Sequence, residues 1–221
     1  MVASVLVAEI ESRAAAFPRP NTASLRTLRR EYSKRLSTAS AKEVLAIATA
    51  LIENHRIHRF VADELIANHA HAMSAVNLTV LERLGEGICT WDQVDCFACY
   101  LSGPAWREKR IPDSAIITWA NSKDRWWRRA ALVSTVPLNL KARGGNGDAP
   151  RTLRICELLL DDSDDMVVKA LSWALRALSV RDPKAVKKFL KENEPRLASR
   201  VLREVSHKLA TGLKNPKKSY P

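Results

Sequence analysis

The sequence predicts an all-α fold, an α-α superhelix stacked from antiparallel helix pairs. Apolar residues recur at spacings of three and four along nearly the whole chain, and no segment sustains the alternation that marks a strand. Helix pairs starting near residues 74, 113, 151 and 182 repeat at roughly 30 to 40 residues, the length of one solenoid unit, although no repeat is visible residue by residue. The 221 residues suffice for one domain, expected over 1–212, with a short basic tail, 213–221, that does not order by itself.

The apolar spacing places helices over 22–37, 41–53, 56–71 and 74–86. A helix over 91–101 follows, started by Thr90 and Gln93 at capping-box spacing. Pro104 and Pro112 flank a break, after which helices over 113–121 and 123–136 are expected, the second ended by Pro137. Then come helices over 151–161, 164–180, 182–193 and 195–210. Asp182-Pro183 supplies an N-cap with proline at the first helical position. The pair length matches the HEAT-like class of solenoid.

Charge narrows the function. Lys and Arg number 36 against 24 Asp and Glu, a formal net charge of +12 with a pI near 9.9. That balance suits a polyanionic partner, nucleic acid first. No apolar run approaches the ~18 residues of a membrane span, and the start lacks the basic residues of a signal peptide. The chain reads as a cytosolic monomer with no membrane partner. Four cysteines make no disulfide framework; Cys96 and Cys99 fall inside one predicted helix without a second pair, and read as reduced thiols. His55 with His58 and His69 with His71 do not converge on a shared metal site, so neither metal nor cofactor is expected.

The most informative stretch is Cys89 to Leu101. Val94, Phe97, Ala98 and Leu101 form its packing stripe, and Trp91 and Asp95, four residues apart, lie together on one border of it. Asp92 points towards water. Both aspartates also suit a helix N-terminus through the macrodipole, so the spacing alone does not make Asp95 chemical. Residues 123–154 concentrate Lys123, Arg125, Arg128, Arg129, Lys141, Arg143, Arg151 and Arg154, and an acidic block, Glu157 to Asp165, follows. Arg129 shares the apolar stripe of Leu132, Val133 and Val136, with Arg128 at its edge, so a guanidinium there needs an anion, either a carboxylate or a phosphate. Over 166–178, Val167, Leu171, Leu175 and Leu178 face the core. Trp173 lies nearly opposite between Lys169 and Arg176, placed to touch nucleic acid or to pack on a neighbouring helix. The loop Gly144-Gly145-Asn146-Gly147, with Lys141 and Arg143, reads as a phosphate cradle or a plain connection.

Trp91-Asp-Gln-Val-Asp95, Trp126-Trp127-Arg128-Arg129-Ala-Ala-Leu132 and Lys169-Ala-Leu-Ser-Trp173-Ala-Leu-Arg176 followed by Asp182-Pro183 together resemble the AlkD-type DNA alkylation-repair glycosylases over roughly residues 20–210. The resemblance implies a HEAT-like solenoid with a concave basic face. It implies hydrolysis of the N-glycosidic bond of 3-methyladenine, 7-methylguanine and related cationic purines in double-stranded DNA, without metal or cofactor. Asp95 would match the catalytic carboxylate, Trp91 and Trp173 the indoles that hold the deoxyribose, and Arg129, preferred to Arg128 on helical phase, the phosphate-contacting arginine. Lys169, Arg176, Trp127, Lys141 and Arg143 complete the expected DNA-binding set. Some members of the family bind DNA without excising bases, which leaves a non-catalytic DNA-binding solenoid as the alternative. A protein-interaction scaffold would account for the fold alone.

Overall fold

The computed structural model describes residues 3–19, 21–54 and 59–215. His55 and His58 and the end of the expected tail, 216–221, lie outside the described residues. The described chain is all-α, consistent with a HEAT-like superhelix. Its helices are α1 (Ala3–Ala15), α2 (Thr22–Arg35), α3 (Ala41–Asn54), α4 (Arg59–Ala67), α5 (Ala70–Ser74), α6 (Leu78–Gly85), α7 (Trp91–Phe97) and α8 (Gly103–Arg107). They continue as α9 (Asp113–Ala120), α10 (Arg125–Ser134), α11 (Val136–Asn139), α12 (Ala149–Leu158), α13 (Asp165–Ser179), α14 (Pro183–Asn193) and α15 (Ser199–Thr211). One row runs α2, α4, α7, α10, α13, α15, each packed on the next. A second layer covers that row, with α1 and α3 at one end, α9 in the middle, and α12 and α14 towards the other end.

Local chemistry explains where the expected boundaries moved. An N-terminal helix, α1, was not expected; Leu6, Ile10 and Ala14 are buried four residues apart on one stripe. The helix expected over 56–71 splits after Ala67, because His69 caps the next one with Nδ1 accepting from the Ala72 amide at 3.1 Å. Asn77 delays the following helix to Leu78 by accepting from the Val80 amide at 3.0 Å. Thr90 does stand at the N-cap of α7, but its hydroxyl makes no capping bond. Gln93 Oε1 accepts instead from the amide of Cys89, one residue ahead of the N-cap, at 3.0 Å, in place of the expected box.

The largest departure follows α7. Rather than breaking at Pro104, the helix runs on through one wide turn, Ala98–Ser102, in which the Gly103 amide donates to the Ala98 carbonyl five residues back. A proline has no N–H and its ring crowds the carbonyl four residues earlier; a widened turn relieves both. Gly103 also has to lack a side chain, since a Cβ there would stand 2.7 Å from the Ser134 carbonyl oxygen and from the Pro137 ring. Pro137 does not end α10 but sits in the first turn of α11.

Beneath α7 lies a buried polar group. Asp63 is wholly buried on α4 beside the Arg59 guanidinium, which donates to the Leu84 and Glu86 carbonyls, and beside the Cys96 thiol. Burial outweighs Arg59 and pushes the Asp63 carboxyl up to about 7. The folded protein therefore keeps this proton up to about pH 7 while the unfolded chain releases it near 3.8, so stability falls as pH rises through that interval and levels off above it. The shift corresponds to a loss on the order of 4 kcal/mol. Asp63→Asn is expected to flatten this slope in urea unfolding between roughly pH 4.5 and pH 8. An unchanged slope would show that other groups set it.

Candidate functional site: a cationic pocket between two indoles

Three helices of the first row, α7, α10 and α13, together with the start of the C-terminal segment, enclose an open cavity of about 400 Å³. Its walls carry Trp91 and Trp173 with Arg129, Lys169, Arg176 and Lys214. Trp91 is 56% exposed, an unusual state for so large an apolar side chain. Trp173 is half-buried, both packed against the core and open to the pocket. Of the two alternatives left by its helical phase, packing on a neighbour is realised, and the rest of the indole opens to the pocket.

Asp95 lies one turn along α7 from Trp91, and its side chain is 19% exposed. Arg129, which is buried, donates from Nε at 3.0 Å and Nη2 at 2.8 Å to Asp95 Oδ1, and from Nη2 at 3.0 Å to Oδ2. Its Nη1 donates to the Met166 carbonyl at 2.5 Å, tying α7, α10 and α13 together at the pocket. The anion that its helical phase demanded is therefore a carboxylate. Arg129 lines the pocket with its guanidinium on Asp95 and on a backbone carbonyl, and the phosphate contact stays an expectation for the DNA-bound protein. Burial raises the Asp95 carboxyl above its ordinary 3.8, Arg129 opposes that rise, and the Asp92 charge adds to it.

Other expected residues are placed elsewhere. Arg128 donates from Nε to Asp162 Oδ2 at 2.6 Å and from Nη1 to the Ser122 and Lys123 carbonyls, so it does not gather with Arg129, Lys169 and Arg176. Asp164 likewise takes Arg125, and part of the basic block is thereby neutralised by the acidic block that follows it in sequence. Trp127 packs among Phe97 and Trp119, 4.9 Å from the latter ring, and against Gly85, where a Cβ would strike its indole. It is a packing residue. Lys141 and Arg143 do not line the pocket; Arg143 stacks 4.1 Å over the Tyr100 ring, farther along the helix that begins at Trp91.

The glycine loop is no phosphate cradle. The Gly144, Gly145 and Gly147 amides donate to the Lys141, Leu140 and Leu138 carbonyls, while Arg107 and Arg181 hold the Arg143, Asn139 and Gly145 carbonyls from outside. The spare amides that such a cradle needs are already used. Cys96 and Cys99 are buried and unpaired, with the Cys99 thiol pushed up to about 12 by burial, which removes them from nucleophilic chemistry.

Two residues at the pocket, Lys214 in its wall and Glu204 behind it, were not singled out by sequence. Glu204 on α15 is buried and accepts from the Ser172 hydroxyl at 2.7 Å. Arg176 Nε stands 3.8 Å and Lys214 Nζ 3.7 Å from its carboxylate. Glu204 offered the same signal as Arg129, a charge on the buried stripe formed here by Val201 and Val205. Lys214 was legible only as part of the basic tail expected over 213–221.

The family model described as DNA alkylation repair enzyme matches residues 20–209. The chain belongs to that family. AlkD-type glycosylases are members of it, which bears out the resemblance drawn from the tryptophan motifs. A solved protein described as "Predicted DNA alkylation repair enzyme from Enterococcus faecalis" is similar at a TM-score of 0.69 and 20% identity, covering 95% of each chain. At that identity the likeness is one of fold. Comparison with curated proteins gives no match. Membership of the DNA alkylation repair enzyme family places the protein's role in the repair of alkylated DNA.

Proposed function

We propose that this protein is an alkylpurine DNA glycosylase that hydrolyses the N-glycosidic bond of cationic alkylated purines, 3-methyladenine and 7-methylguanine among them, in duplex DNA. The observation that carries the reading is the pairing of an exposed Trp91 with Trp173 across a cationic pocket, with the Asp95 carboxylate one turn away, fixed in place by Arg129. In this reading the first row of helices forms the concave, DNA-facing side. Lys169 and Arg176 meet the backbone, and the indoles grip the deoxyribose.

The chemistry requires only one carboxylate. Glycosidases acting on neutral leaving groups use two, one of them to donate a proton. A purine alkylated at N3 or N7 is already cationic and departs without protonation. What develops is an oxocarbenium-like sugar, which an ionised Asp95 stabilises while orienting the attacking water. The electron-rich faces of Trp91 and Trp173 favour the same cation. Arg129 contributes indirectly, by holding Asp95 ionised and by fixing its rotamer.

Release of free base from methylated duplex DNA by the purified protein tests the proposal. No release across several alkylated bases, with DNA binding intact, would favour the non-catalytic reading. One observation supports that alternative: Arg129 engages both oxygens of Asp95 in the resting protein.

A further inference from the structure

We infer that Arg176 and Lys214, gathered around the shared carboxylate of Glu204, form a site for a backbone phosphate at the pocket wall, and that Lys214 is the group that transfers to the phosphate. The inference rests on the DNA-binding reading of the pocket. It adds a residue that neither the sequence motifs nor the family match supplies, since Lys214 lies beyond residue 209.

The argument is one of charge balance. Among the described residues, Arg129, Lys169, Arg176 and Lys214 line the cavity, and Asp95, Asp165 and Glu204 stand behind them. Arg129 takes Asp95, and Lys169 shares Asp165 with Arg200. Arg176 and Lys214 are left to divide Glu204 between them. Five cations thus share three carboxylates, and the excess positive charge is concentrated around a cavity wide enough to admit an anion.

Glu204 and its partners are not equivalent. A buried carboxylate stripped of every partner is strongly destabilising, so Glu204 cannot release both cations. The Ser172 hydroxyl, at 2.7 Å, holds one of its oxygens, and Arg176, with a side chain only 16% exposed, donates from Nε to that same hydroxyl at 3.2 Å. This triad persists without the lysine. Lys214 and Arg176 both stand beyond hydrogen-bond distance of Glu204, at 3.7 Å and 3.8 Å, but Lys214 is 47% exposed and follows the helix end at Gly212. Arg176 is tied to Ser172, whereas the departure of Lys214 leaves the hydrogen bonds of Ser172 to Glu204 and to Arg176 in place, and its flexible stem can carry a point charge to a phosphate oxygen. Burial holds the Arg176 guanidinium below its ordinary value, which adds to the demand for an anion there.

The test measures affinity for a duplex carrying a tetrahydrofuran abasic analogue, as a function of salt. Lys214→Gln is expected to lower the slope of log affinity against log salt by about one unit, the loss of one phosphate contact, while Lys214→Arg restores it. Lys188→Gln is the control, because Lys188 on α14 is 75% exposed, away from the cavity, and carries the same charge. A Lys214→Gln slope equal to that of the unmodified protein, or an equal fall in Lys188→Gln, overturns the inference and leaves the proposed function standing. Absence of salt-dependent binding by the unmodified protein overturns both. Thermal melting of each variant accompanies the titrations, and unchanged midpoints are expected, since Lys214 lies outside the core.

Discussion

Asp95→Asn is expected to lower the single-turnover rate of 7-methylguanine release from duplex DNA on the order of a hundredfold or more, with DNA affinity held or slightly raised. Loss of one preorganised electrostatic group at a developing charge typically costs that much. Affinity is spared because the substitution removes a negative charge beside a cationic pocket and leaves Arg129 one acceptor in the same place. A fall in stability should accompany it, about 3 kcal/mol, as the buried Arg129 charge loses its counter-ion and keeps only the amide oxygen that replaces it. Asp92→Asn is the control. It sits at the same helix terminus but is exposed, and its charge helps to raise Asp95, so removing it should not slow excision. Single-turnover conditions keep product release from masking the chemical step. Equal losses in the two variants would assign the effect to the general field of the helix terminus and would sink the catalytic role of Asp95.

Much of this arrangement is legible in the sequence, because it depends on spacing within single helices. Trp91 and Asp95 are four residues apart, and Lys169, Trp173 and Arg176 share one helical face, which lines the pocket; a period of 3.6 fixes such relations before any tertiary contact forms. The same phase argument separated Arg129 from Arg128, and Arg129 is indeed the buried one. What phase cannot choose is the partner. Asp95 lies 34 residues from Arg129, and Glu204 lies 32 from Ser172, so the anion for each buried or half-buried group is set by how helices stack. Trp127 is hard to read from sequence for a related reason: an indole next to arginines at a helix start looks available, and only the stacking of helices brings Gly85, Phe97 and Trp119 against it. The turn at Ala98–Ser102 escaped because Pro104 is an ordinary stop signal, and only packing of Gly103 against α10 and α11 makes it worthwhile to carry the helix past it.

Arg129→Met is expected to have the largest effect on stability, a loss of about 3–5 kcal/mol, because it leaves a largely buried carboxylate without its cation. Its kinetic consequence has a distinctive form. Excision needs Asp95 ionised, and burial already lifts that carboxyl above 3.8 with Arg129 as the main opposing influence. Without the guanidinium the rise is unopposed, so the acid limb of the pH–rate profile moves to higher pH, and the deficit is greatest at low pH and shrinks as pH rises. Removal of Asp92 should move the limb the other way. Arg129→Lys keeps a charge but cannot bridge both oxygens, and should fall between the unmodified protein and Arg129→Met, which secures the comparison if the methionine variant folds poorly. The salt slope of DNA binding should change little in either, since the donors of Arg129 go to Asp95 and to the Met166 carbonyl. A rate deficit constant across pH would make Arg129 only a packing partner of α7. A slope lowered by one unit would mean that on DNA the arginine exchanges its carboxylate for a phosphate, and Asp95 would then be released from its partner at the moment the lesion is bound.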